Sequence, residues 1–226
     1  NENLAALNAN DAAGAAALVK EAAGSAQLRE HILFEQAHYA AKRMNPQAPE
    51  LLASFVALAT DPALKTQARL DQAEVALNLN PPDLETVQAI LPPLEKEQLT
   101  PEQTMQLARL NILEAESRQE WPSAIQACRQ AIALDSEGKQ ADMLYLKLGE
   151  LLYKNGDFHE AQLVLQPFPS TYPGSPLHAA ALFLAGKAAQ QSNTGNTLKA
   201  ALNIFKTLGA GDTPFAQPAR IEEASV

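Results

Sequence analysis

Apolar residues along this chain return at helical spacing, as in Leu144, Leu148, Leu151 and Leu152. They fall into blocks of roughly 12–18 residues, long enough for helices and too long for strands. The blocks are cut by proline or glycine in "NPQAPE", "TDPA", "NLNPPD", "LTPEQ", "EWPS", "NGDF", "TYPGSP" and "GAGDTP". Proline in a first helical turn and glycine beyond a last one are start and stop marks. No alternating apolar–polar stretch of useful length marks a strand. The pattern predicts an all-α chain, with helices near 27–43, 46–59, 63–78 and 83–95 and further pairs from 101 onward.

The blocks repeat. Leu84, Trp121 and Phe158 lie 37 apart, each at the expected opening of a helix. Val87, Ala124 and Ala161 follow three residues later, and Leu91, Cys128 and Leu165 four after those. A fourth copy, Leu198, Ala201 and Phe205, keeps this internal spacing but lies 40 residues on. The three additional residues are expected in the loop "QQSNTGNT", where an insertion costs little. A helix pair of this length cannot bury its apolar face alone, whereas stacked copies can.

Tyr145-x2-Leu148-Gly149-x2-Leu152, followed by Ala161-x3-Leu165 and then Pro173, resembles the tetratricopeptide repeat family. Gly149 and Ala161 are expected to let the two helices approach closely, and Pro173 to end the second. Leu182, Ala185, Gly186, Ala189, Ala201 and Phe205 match more loosely. The copy before 140 fits only in its second helix, Trp121 to Ala131, because Asn111 and Ile112 stand where Leu and Gly are expected. The phrase "YPGSPLHAAALFLAGKAA", residues 172–189, is similar to tetratricopeptide proteins of the bacterial cell envelope, where such a linker joins successive repeats. The resemblance implies a right-handed α-solenoid of antiparallel helix pairs and an envelope or periplasmic setting; a cytoplasmic one is the alternative. The expectation is one continuous domain over 1–226: an Ala-rich leader at 1–25, divergent helix pairs at 27–95, tetratricopeptide-like repeats at 101–209 and a helix starting within 214–226. The non-methionine start and the unfinished last helix read as a fragment of a longer protein.

Composition narrows the function. Of 226 residues 46% are apolar but only 5% aromatic, so alanine and leucine must supply the core, and both are strong helix formers. The net charge of −9 argues against nucleic acid as a partner, which needs a basic footprint. The single cysteine, Cys128, excludes an internal disulfide and a cysteine zinc cage. It occupies the apolar repeat position of Leu91, Leu165 and Phe205, so it reads as a small buried hydrophobe. No apolar run reaches the roughly 18–20 residues that span a bilayer, so no direct membrane insertion is expected.

Two constellations invite a chemical reading. Asp157, His159 and Glu160 cluster beside Gly156, but in the repeat register Asp157 is an N-cap, Phe158 an inward anchor, and His159 and Glu160 point outward. His31, Glu35 and His38 share one helix face, and Glu35-x-x-His38 has the form used in di-iron bundles. The second motif and further glutamates of such a centre are missing, so a solvated or partner-facing helix face is the preferred reading. No nucleophile elbow, phosphate-cradling loop or dinucleotide fingerprint occurs. The chain reads as non-enzymatic and without a cofactor.

What remains is surface. The resemblance implies that first helices line a concave groove receiving a peptide or partner helix. Carried over position by position, the groove would comprise Gln106, Arg109, Leu113 and Glu116; Met143, Leu146, Glu150 and Tyr153; and Ala180, Phe183, Lys187 and Gln190. The expected function is a non-catalytic protein–protein interaction scaffold. Two other roles stay open: a regulatory or substrate-recruiting part of a larger enzyme, and a structural spacer.

Overall fold

The computed structural model describes residues 25–226, and among the described residues every regular element is a helix. Apart from Ser25, the expected leader at 1–25 lies outside the described residues. Chain contacts divide the protein into two compact units, one up to Ser117 and one from Arg118.

The first unit contains α1 (Ala26–Lys42), α2 (Ala48–Leu58), α3 (Pro62–Leu77), α4 (Leu84–Leu94) and α5 (Pro101–Ser117). The first four fall within two residues of the boundaries read from the punctuation. The starts of α1, α3 and α4 are fixed by side chains that satisfy free backbone donors, while α2 begins with Pro49 in its first turn. Ser25 Oγ accepts the Leu28 N–H, Asp61 accepts those of Ala63 and Leu64 ahead of Pro62, and Asp83 accepts that of Thr86. At α5, Gln103 accepts the Thr100 N–H while Thr100 Oγ1 accepts the Gln103 N–H, a reciprocal capping box. Helix α1 packs on α2 and α3, and α3 packs in turn on α2, α4 and α5. Phe34, Leu52, Phe55, Ala68 and Val75 form one buried cluster, and Leu70, Val87, Leu91, Leu94 and Leu110 belong to the other.

The second unit contains α6 (Trp121–Leu134), α7 (Ala141–Asn155), α8 (Phe158–Leu165), the single turn α9 (Phe168–Thr171), α10 (His178–Ser192), α11 (Gly195–Gly209) and α12 (Ala216–Glu223). The second and third members of each repeat triplet are buried, while the first, Leu84, Trp121, Phe158 and Leu198, are half-buried. Ala124, Ala161 and Ala201 are fully buried, as are Cys128, Leu165 and Phe205 one turn further on. The small residues opposite them permit close approach. A Cβ added to Gly149 would lie 2.5 Å from the Leu165 side chain, and one added to Gly186 would lie 2.7 Å from the Phe205 ring.

Three local expectations are corrected. Pro173 does not end the second helix of its pair. That helix stops at Leu165, because Pro167 lacks an N–H and its ring obstructs a continuing helix. The chain then makes the turn Phe168–Thr171, which drives Phe168 into the core at 1% exposure. The three residues added before the fourth copy are not in a loop either. They form the first turn of α11, which begins at Gly195 behind a Thr194–Thr197 capping box. Asp157 stands at the N-cap of α8, but its carboxylate accepts from Asn155 Nδ2 at 2.7 Å rather than from a backbone N–H.

Candidate functional site

The densest polar construction in the first unit lies where α1, α3 and α5 face one another. Its centre is Asp71, a carboxylate with 0% exposure on a helix that otherwise buries Ala68, Leu70, Ala73 and Val75. A buried charge persists only when paired and hydrogen-bonded. Here Asp71 Oδ2 lies 2.6 Å from His38 Nδ1 of α1, while Oδ1 accepts from the side-chain amides of Gln67 at 3.1 Å and Gln106 at 3.4 Å. Lys42 Nζ stands 3.7 Å from Asp71 and 3.0 Å from Glu74. The Gln106 amide also reaches Glu74 at 3.0 Å, its Oε1 accepts from Gln67, and Gln103 donates to Gln67 Oε1. The hydrogen bond to Asp71 holds the His38 imidazolium above the usual histidine range, against the opposing effect of partial burial.

The histidine–glutamate trio therefore divides. His31 is exposed and lies 3.7 Å from Glu35, whereas His38 turns to Asp71 and stacks on Phe34 with ring centroids 5.4 Å apart. Among the described residues no group of three or more His, Cys, Asp or Glu is arranged to hold a metal ion. Asp71 was not anticipated, because a lone acid within "RLDQAEVAL" reads as one more solvent-facing position. A signal does exist: His38 and Asp71 are 33 residues apart and Asp71 and Gln106 are 35 apart, close to one repeat length each.

Elsewhere in this unit the Glu30 carboxylate accepts the N–H groups of Thr60 at 2.5 Å and Asp61 at 2.8 Å and the Thr60 hydroxyl at 2.7 Å. These bonds hold its carboxyl below the usual range. They close one end of a cleft of about 460 Å³ between α1 and α2, whose apolar lining includes Leu33, Leu51, Phe55 and Leu58.

The groove positions expected from the resemblance fall into two kinds. In the first unit, Gln106 belongs to the Asp71 network, Arg109 and Leu113 are exposed, and Glu116 is half-buried. In the second unit, Met143 is 52% exposed, and Glu150 pairs with Lys147 at 3.0 Å on the surface of α7. Ala180 is half-buried, and Leu146, Tyr153, Phe183 and Lys187 meet neighbouring elements. Leu146 packs on the cluster of Leu165, Phe168, Ala181 and Ala185. Tyr153 sets its ring edge against Phe158, with centroids 5.2 Å apart. Phe183 lies against Phe205 and Phe215, Lys187 donates to Glu222 of α12 at 2.8 Å, and Gln190 has a buried Oε1.

The trio beside Gly156 is a helix junction. Gly156 takes the left-handed conformation, φ 87°, that ends α7, and Asp157 donates its N–H back to Leu152 at 2.9 Å. Phe158 is half-buried, His159 and Glu160 are exposed, and Glu160 pairs with Arg129 of α6. His178 opens α10, and its Nε2 meets the Tyr172 carbonyl. Among the described residues no helix is long and apolar enough to cross a membrane. Comparison with protein-family models, with curated proteins and with solved structures gave no match.

Proposed function

We propose that the chain is a non-catalytic scaffold for protein–protein interaction, with the helices of each unit following a tetratricopeptide-like, right-handed solenoid course. Its first-helix faces would receive a peptide or partner helix. One observation carries this reading: side-chain links join residues about one repeat apart again and again. His38–Asp71 and Asp142–Ser175 are each separated by 33 residues, Arg129–Glu160 by 31 and Lys187–Glu222 by 35. The close approaches at Gly149 and Gly186 fall at matching repeat positions and support the same reading. On this basis α7 is a first helix and α8 a second, and the envelope setting implied by the "YPGSP" linker belongs to the same proposal.

The face offered to a partner in the second unit includes Met143 and Glu150 on α7. Phe183 and Lys187 serve packing, so they are unsuitable probes of binding. A photo-crosslinking residue at Met143 is compared with one at Leu163, which is 58% exposed on α8. A discrete crosslinked partner from Met143 and none from Leu163, at unchanged helicity, is the expected result. Equal labelling from both positions, or a silent Met143, would reject the binding face and favour the spacer.

A further inference from the structure

We infer that His38 and Asp71 form a proton-dependent clasp, in which the imidazolium of α1 holds the buried carboxylate of α3 and, through it, the glutamines that tie α3 to α5. The geometry is specific. Asp71 has no exposure, its two oxygens are divided between His38 on one side and Gln67 with Gln106 on the other, and the imidazole is held in place by the stacked ring of Phe34. Lys42, 44% exposed and 3.7 Å away, is the other cation near the carboxylate. When His38 loses its proton the ring can still donate Nδ1–H, but the charge opposite Asp71 disappears. The burden then falls on a half-solvated lysine that also serves Glu74.

The charged groups acting on His38 are Asp71, which favours the proton most strongly, Glu35, which also favours it, and Lys42, which opposes it. Helix α2 carries one charged residue, Glu50, which is exposed, and α5 presents the neutral amide of Gln106 to the carboxylate. The sign follows from linkage. His38 binds its proton more tightly in the folded chain than at its ordinary value of 6.5. Its contribution to stability is therefore complete below that value and is lost as pH rises through the folded midpoint. The clasp is tight in mild acid and loosens toward alkaline pH.

The inference rests on the geometry of α1, α3 and α5 alone, so a failed crosslink at Met143 leaves it standing. The test is a pH titration of the whole chain by NMR, following all four histidine rings and the side-chain amides of Gln67 and Gln106. His38 is expected to show a midpoint above 6.5, with both glutamine amides moving at that same midpoint. A His38 midpoint at or below 6.5, or glutamine signals indifferent to it, overturns the clasp. Denaturation across the same range adds a second measurement. His38→Gln should remove the loss of stability that the unaltered protein shows through that midpoint, whereas His31→Gln should retain it. If His38→Gln does not fold, the titration of the unaltered protein decides.

Discussion

Replacing Gly149 by alanine tests whether the repeat glycine is required by contact rather than by chance. The new Cβ would sit 2.5 Å from Cγ and both Cδ atoms of Leu165, and Leu165 is fully buried, so its side chain has no free space to enter. Overpacking of this kind costs about 1–3 kcal/mol, while replacing a glycine inside a helix by alanine returns about 1 kcal/mol. The net expectation is a loss of about 1 kcal/mol, or about 2–4 °C in Tm for a chain of this size. Leu165→Ala alone costs more, about 2–5 kcal/mol, because it empties a buried site. In that background the new methyl group enters the vacated space, and Gly149→Ala becomes stabilising by about 1 kcal/mol. The double-mutant cycle should then give a coupling of about 2 kcal/mol. The chain's one tryptophan, Trp121, opens α6 in the same unit and lies beneath the Lys154 ammonium, 5.2 Å from its ring centre. Its fluorescence in a urea titration reports the unfolding of this unit. Gly195→Ala, with nothing within 4 Å of the added atom, is the control and should stabilise both backgrounds by about 0.5 kcal/mol. If Gly149→Ala changes stability in the same direction with and without the Leu165 side chain, the close-approach argument is wrong.

Two further outcomes concern the helix junctions. Gly156→Ala should cost about 1–2 kcal/mol in the same titration, because φ 87° is a left-handed conformation disfavoured for L-residues; Gly156→Asn should recover part of the loss. Thr194→Ala removes the capping box of α11 at a cost of about 1 kcal/mol. Hydrogen exchange at the Thr197 amide should accelerate by about fivefold, while amides in the core of α7 stay unchanged.

The all-helical class and the boundaries of α1 to α4 were legible because they are governed by local chemistry. Pro62, Asp61, Asp83 and the residues around Gly156 act on neighbours one to four positions away, which a linear reading captures. The buried repeat triplets were legible for a similar reason, since two copies of one packing problem have similar answers. What escaped was non-local. The break at Pro167 was hidden because Pro173 offered an equally good stop, and the turn that follows Pro167 shows its use only in the burial of Phe168. Asp71 was missed because its meaning lies in His38 and Gln106, 33 and 35 residues away on other helices.

The positions expected to line a groove divide between packed and exposed. Leu146 and Phe183 occupy the same place in successive copies, and both are packed: Leu146 beside Ala181 and Ala185 of α10, Phe183 against Phe215 just before α12. Side chains at this position therefore pack one helix against another, α7 against α10 and α10 against the segment leading into α12. Successive residues on a helix are about 100° apart, so a shift of one position in a carried-over register turns a surface residue toward its neighbour. Met143, three residues before Leu146, is on the exposed side of that boundary, and Glu150, four after it, pairs with Lys147 at the surface. Under the proposed scaffold reading, a partner on this side of α7 would meet the exposed Met143 beside the Lys147–Glu150 pair, a narrower strip than the repeat register alone implies.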